Sequence, residues 1–204
     1  MSRNLNPKGK IVRRLGENVF GNEKFFKLLE KRPNPPGPVK HHRGRISEYG
    51  RQMLEKQKLR FAYGLTERQF RNTFDKAKKM RGVTGENLLS LLERRLDNVV
   101  YSLGIAKTRS QARQIVNHAH ICVNGRKVDI ASFSVSVGDK ITIAPSEATK
   151  KFLQTLVADN ASRTTPEWLE FSKVDLTGIV KRLPEKSDVT VKADENLVVE
   201  LYSK

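Results

Sequence analysis

Asn124-Gly125, set between Ile121-Cys122-Val123 and Arg126-Lys127-Val128, constrains the fold of this chain more than any other pair of residues. A two-residue hairpin turn needs positive φ at both central positions, and Asn-Gly meets that need at little cost. Residues 121–123 and 126–128 are therefore predicted to pair as antiparallel strands. The residues before the hairpin read as helix. Thr108 and Gln111 have capping-box spacing, and Ala112, Ile115, Val116 and Ala119 form the apolar stripe behind them. Leu88, Leu92, Leu96, Val99 and Leu103 recur at helical spacing, which predicts one helix running to Gly104. Val137-Gly138-Asp139 marks a further turn before a strand at Lys140–Ile143. Residues 94–139 thus encode two helices and a tight hairpin. Arg109 and Arg113, four apart on one helical face, lie close in sequence to Arg126 and Lys127 at the turn.

Charge says what such a surface faces. The 204 residues carry a net charge of +17. Residues 1–82 hold 22 Lys+Arg against 7 Asp+Glu, a net of +15, while residues 83–204 hold 17 against 15. Solubility alone does not demand such segregation; a polyanion docked along the N-terminal part does. No apolar run is long enough for a transmembrane helix, and the N-terminus lacks the apolar core of a signal peptide, so no membrane partner is expected. Cys122 is the sole cysteine, which rules out an internal disulfide and fits a reducing cytoplasm or an organelle of bacterial descent.

Residues 1–31 read as a basic arm with one short helix, where Phe25, Phe26, Leu28 and Leu29 follow Asn22. Pro33, Pro35, Pro36 and Pro38 predict a stiff connector, and a dense basic loop follows at 40–45. Ser47 is placed to cap a helix ending near Leu59, and Gly64 breaks it. Thr66 and Gln69 make a second capping box, with Phe70, Phe74 and Ala77 lining the next helix as far as Gly82. Beyond Ile143, residues 147–157 suggest a helix, Thr164-Thr165-Pro166 a turn, and 189–192 and 197–201 short strands or extended tail.

Within 89–139 the strings LLERRLDNVVYSLG, TRSQARQIV and VNGRKV resemble the small RNA-binding domain named after small-subunit ribosomal protein four. That domain is also an appendage of pseudouridine synthases, of some tRNA synthetases and of ribosomal-RNA-binding heat-shock proteins. The flanks choose between these. RPNPPG, HHRGRISEYGRQ, EKQKLRFAYGLTERQFRNTFDKA, GVTGENLLSLLERRLDNVVYSLG and ENLVVELYSK follow one another as in the bacterial-type family of small ribosomal subunit protein four, and reach both ends of the chain. The resemblance implies an α+β fold: a mostly helical N-terminal domain, an inserted small RNA-binding domain of two helices and an antiparallel hairpin sheet, and an extended N-terminal arm. Its boundaries would be an arm and connector at 1–40, a helical domain at 41–92 joined by a tail at 184–204, and the RNA-binding domain at 93–183. It also implies a structural, non-enzymatic role on the ribosome, with binding to 16S-type ribosomal RNA early in assembly of the 5′ domain. Its neighbours would be messenger RNA where that enters the subunit, and ribosomal proteins five and three. Many members hold zinc through four arm cysteines. Residues 1–40 here have neither cysteine nor histidine, so no zinc and no other cofactor is expected.

Arg and Lys neutralise phosphates, and folded RNA is read mostly by shape, phosphate and 2′-hydroxyl contacts. The RNA-binding candidates are Arg94, Arg95, Thr108, Arg109, Gln111, Arg113, Asn124, Arg126 and Lys127, and, nearer the N-terminus, Arg43, Arg45, Arg51, Lys56, Lys58 and Arg60. By resemblance, Arg43 and Arg45 match the loop that faces messenger RNA. Each has a plainer reading beside it. Helical cations often form only a solvated face, Arg95 has Asp97 and Glu93 as rival partners, and Asn124-Gly125 is first a turn. Phe70, Phe74 and Tyr101 sit at core spacing; Trp168 is open to either reading. His118, His120 and Cys122 alternate but lack a fourth ligand. No catalytic triad, paired-carboxylate site or phosphate-binding glycine loop stands out, and the flanks leave no room for a modifying enzyme's catalytic domain. The hairpin directly after the second helix argues against a DNA-binding helix-turn-helix, and the basic helices lack the broad apolar face of a membrane-active one.

Overall fold

A computed structural model describes residues 6–38, 46–160 and 163–203. The chain separates into two compact units: Met1–Leu88 with Thr190–Lys204, and Leu89–Val189. The class is α+β as expected, with a helical unit and a smaller unit built on an antiparallel sheet.

The first unit holds two helices where the sequence suggests one in the arm. α1 (Lys8–Leu15) follows Pro7 and stops at Gly16, whose φ of 73° closes the helix. Its apolar stripe is only Ile11, Val12 and Leu15, which a basic, glycine-bearing composition conceals. α2 (Glu23–Lys31) starts where the Asn22 side chain accepts from the Lys24 amide. The proline segment is tied to α1, because Arg13 donates to the Asn34 and Pro35 carbonyls at 2.8 and 3.2 Å. α3 (Glu48–Ala62) is capped by Ser47 as predicted and runs past Leu59 to include Arg60. α4 (Glu67–Lys79) has the predicted Thr66–Gln69 capping box and buries Phe70, Phe74 and Ala77.

The tail at 197–201, expected as short strand or extended chain, is helical: α9 (Glu195–Ser203) packs against α3 and buries Val198 completely. Tyr202 stacks on Phe74 with ring centroids 4.6 Å apart, and its hydroxyl donates to Glu67 at 2.9 Å. Burial, helped by that hydrogen bond, raises the Tyr202 pKa well above its ordinary 10.0. Glu67 moves the other way: burial opposes its ionisation, but hydrogen bonds from Lys56 and Tyr202 outweigh burial and lower it below 4.5. Glu67 thus stabilises the unit above pH 4.5 and loses that contribution as pH falls through its folded value. Neutral Tyr202 stabilises below pH 10.0 and loses it as pH climbs toward its higher folded value. The stability advantage of the wild type over Glu67→Gln should therefore narrow as pH falls below 4.5, read from melting curves by circular dichroism. A gap independent of pH would remove Glu67 from this role.

α5 (Thr84–Glu93) carries the chain from one unit to the other. The single helix predicted to Gly104 is interrupted: α5 ends at Glu93 and α6 (Leu96–Ser102) begins afresh. The reason is tertiary. The backbone at 94–97 pairs with 131–135 through Val135 N to Arg94 O, Leu96 N to Phe133 O and Asp97 N to Ala131 O, so these groups are spent outside a helix. α7 (Arg109–Asn117) leads through Ala119, at φ 56°, into β1 (Ile121–Val123) and β2 (Arg126–Lys127). Ala119 is therefore outside the helix whose stripe it was expected to join. Asn124 and Gly125 both have positive φ, 50° and 79°, as the turn requires. β3 (Lys140–Ile143), α8 (Glu147–Asp159), β4 (Leu169–Ser172) and β5 (Thr177–Val180) complete a sheet of order β2-β1-β3-β5-β4. Trp168 is fully buried in this core, so the packing reading holds for it.

Candidate RNA interface

In the second unit the expected residues divide into those that build the scaffold and those that present charge. Thr108 Oγ1 accepts from the Gln111 amide at 3.2 Å and so starts α7. The Gln111 side chain accepts from the Lys107 amide at 2.9 Å rather than from Thr108, so the box closes one residue early. Asn124 is exposed but engaged at both ends. Its amide donates to Asp139 at 2.8 Å, and its carbonyl oxygen accepts from the Lys140 amide at 2.9 Å, fastening the hairpin turn to the 137–139 turn. Arg94 donates through Nε to the Val135 carbonyl at 2.8 Å. Arg95 is a correction to the expected set: it is 7% exposed and grips Asp97 with two hydrogen bonds of 3.0 and 2.6 Å. Of its two in-chain rivals to RNA, Asp97 takes it.

Arg126 and Lys127 lie exposed on the far side of the hairpin turn, with no carboxylate within 4.0 Å among the described residues. Arg109 and Arg113 are half-buried on one face of α7. Arg109 is oriented from several sides. Its Nε donates to Asn98 Oδ1 at 2.8 Å, Asn98 in turn donates to Glu93 Oε2 at 2.6 Å, and its guanidinium lies 4.5 Å from the Tyr101 ring centre.

In the first unit, Arg51 is exposed and only loosely paired with Glu48, at 3.8 Å. Lys56 is 6% exposed, 2.7 Å from Glu67 and over the Tyr202 ring, so its charge is used inside the protein. Lys58 binds Glu55 at 2.7 Å and Glu17 at 3.1 Å. Burial works against its charge, but these two carboxylates outweigh burial and raise its pKa. Arg60 lies 3.6 Å from Glu67 and over Phe61. Arg43 and Arg45 fall outside the described residues.

One basic face escapes the sequence reading. Phe70, Phe74 and Ala77 turn α4 inward, leaving Arg68, Arg71, Lys76, Lys78 and Lys79 exposed, followed by Arg81. None of these six has an ion-pair partner among the described residues. The signal was present: an apolar stripe at i, i+4 and i+7 fixes which cations point away from it.

Among the described residues no group of three or more His, Cys, Asp or Glu could hold a metal ion, and no helix is long and apolar enough to cross a membrane. His118 and His120 have rings 5.9 Å apart, and His120 Nδ1 is shared with Thr149 Oγ1 at 3.3 Å.

Exposed cations without ion-pair partners, on α4 in one unit and on the hairpin in the other, are the surface chemistry expected of a polyanion-binding protein. Comparison with known proteins gives the family. A profile described as "Ribosomal protein S4/S9 N-terminal domain" matches residues 3–93, and one described as "S4 domain" matches 94–141. Proteins named small ribosomal subunit protein uS4 from Borreliella burgdorferi (strain ZS7) and Chloroflexus aurantiacus (strain ATCC 29366 / DSM 635 / J-10-fl) are each 47% identical, and one from Roseiflexus castenholzii is 48% identical. Each alignment spans 100% of this chain and 99–100% of the relative. The chain belongs to the uS4 family of small ribosomal subunit proteins.

Proposed function

We propose that this chain is a structural, non-enzymatic component of the small ribosomal subunit that holds 16S-type ribosomal RNA through phosphate contacts. The observation that carries the reading is the pairing of whole-length family membership with two sets of exposed, unpaired cations. One set is Arg126 and Lys127 on the hairpin, and the other runs from Arg68 to Arg81 on and after α4. Arg109 and Arg113 add a third contact from α7, and Arg51 a fourth from α3. Such surfaces suit RNA because its shape and phosphates, not its groove edges, are what side chains reach. The finer reading also rests on the resemblance. The protein joins early and organises the 5′ domain, bears on translational accuracy, adjoins ribosomal proteins five and three, and works in the cytoplasm. The basic loop with Arg43 and Arg45 then faces incoming messenger RNA.

The test is binding to small-subunit ribosomal RNA across a salt series. Changing Arg126 and Lys127 together to Ala should weaken affinity and flatten the log–log salt slope by about one to two, since each lost phosphate contact removes roughly 0.7 to 0.9. An unchanged slope would remove the hairpin from the interface, and equal affinity for an arbitrary polyanion of the same charge would sink the reading as a whole.

A further inference from the structure

Two guanidinium groups lie over the Tyr101 ring. Arg109 lies 4.5 Å from the ring centre and Arg163 4.1 Å. Arg163 is itself immobilised, donating to the Tyr101, Ala106 and Lys107 carbonyls at 3.0, 2.9 and 3.2 Å. These carbonyls belong to the end of α6 and the segment before α7. Arg163 therefore bridges the end of α6 to the segment before α7 and lies over the same ring as Arg109. Arg109 Nε is also fixed through Asn98 to Glu93, which is 2% exposed. A solvated arginine loses rotamer entropy when it grips a phosphate; one already stacked and hydrogen-bonded has lost it on folding.

We propose that Tyr101 is a positioning residue for RNA binding. Its ring, with Arg163 anchored to the Tyr101 backbone and lying over the same ring, fixes the plane and direction of the Arg109 guanidinium before RNA arrives. This rests on the reading that Arg109 contacts RNA phosphate. The bare charge at position 109 is then insufficient; the planar fork in a set orientation supplies the affinity. Neither Tyr101 nor Arg163 has to touch RNA, and the phenolic hydroxyl has no part in it.

The experiment measures binding to small-subunit ribosomal RNA by wild type, Tyr101→Phe, Tyr101→Leu, Arg109→Lys, Arg109→Ala and the double variant Tyr101→Leu/Arg109→Ala. Folding is checked by circular dichroism. Nitrogen-15 NMR of the free protein follows the Arg109 Nε–H, which a stacked ring shifts upfield. Tyr101→Phe should keep the upfield signal and bind within about twofold of wild type. Tyr101→Leu should lose the signal and bind about three- to tenfold more weakly. Arg109→Lys, which needs no change in the core, should lose a similar factor despite keeping its charge. The double variant should be no weaker than Arg109→Ala alone. Additive losses in the double variant, wild-type affinity in Arg109→Lys, or wild-type affinity in a folded Tyr101→Leu that has lost the upfield signal would overturn the positioning role. If Tyr101→Leu fails to fold, the Arg109→Lys affinity and the Tyr101→Phe signal decide alone. Full binding by Arg109→Ala would be a different failure, that of the phosphate contact itself, and the proposal would fall with it.

Discussion

Removing residues 190–204 should unfold the helical unit and leave the unit at Leu89–Val189 folded. The helical unit is discontinuous in sequence, since its first 88 residues close around a helix made last. α9 supplies the fully buried Val198 and the Tyr202 ring that stacks on Phe74 and Phe70 at 4.6 and 6.2 Å. It also supplies Glu200, which accepts from the buried Gln52 at 3.0 Å, and the hydroxyl donor to Glu67. Without α9, Gln52 and Lys56 lose partners and the apolar faces of α3 and α4 meet water. Gly85 lies so near α9 that a Cβ there would stand 2.5 Å from Glu195 Cγ, so the helix is fitted closely. Each large apolar side chain uncovered costs about 1.5–3 kcal/mol, and a buried polar group left unpaired about 1–3 kcal/mol. Several such losses approach the roughly 5–15 kcal/mol that hold a domain together. Hydrogen exchange on the 1–189 chain would show it. Amides of α3 and α4 should lose protection while those of β1 and β3 keep theirs, and persistent protection in α3 would refute the keystone role of α9.

Elements specified by local chemistry were legible in the sequence; those specified by distant partners were not. The Thr66–Gln69 box, the Ser47 cap and the Asn124-Gly125 hairpin depend on residues within five positions of each other, and all three form. The helix break after Glu93 depends on residues 131–135, nearly forty positions away, and the apolar period ran straight through it. The apolar segment at 197–201 reads as short strand or extended tail by itself, and becomes helix because Val198 and Tyr202 have α3 and α4 to cover. β4 and β5 escaped because neither pattern nor turn signal announces that they extend the hairpin sheet through β3. The site follows the same division. Lysines and arginines announce affinity for phosphate, but which of them face outward depends on carboxylates brought in by folding. Glu67 and Glu17 claim Lys56 and Lys58, whereas the α4 cations, opposite a plain apolar stripe, are left for a partner.

Asp97→Ala should destabilise the second unit by about 3–5 kcal/mol, the usual cost of stranding one member of a buried ion pair. Arg95 and Asp97 have side chains only 8% and 6% exposed and meet through two hydrogen bonds. They sit where the chain leaves α5, bridges to Ser134 and enters α6, so the pair fixes the strap on which the rest of the unit hangs. Removing the carboxylate leaves a guanidinium in the interior without charge compensation. Arg95→Met together with Asp97→Leu removes both charges at once and should cost much less than Asp97→Ala alone, since a buried pair contributes little net stability over an apolar replacement. For a unit of about 100 residues, each kcal/mol shifts the midpoint by roughly 4–8 °C, so calorimetry resolves the two variants easily. The pair also separates scaffold from interface. Below its melting point the double variant should bind ribosomal RNA with the wild-type salt slope, because Arg95 faces Asp97 and not solvent. A slope flattened by one contact would return Arg95 to the RNA surface, and an Asp97→Ala variant within about 1 kcal/mol of wild type would show that the interior tolerates the stranded charge.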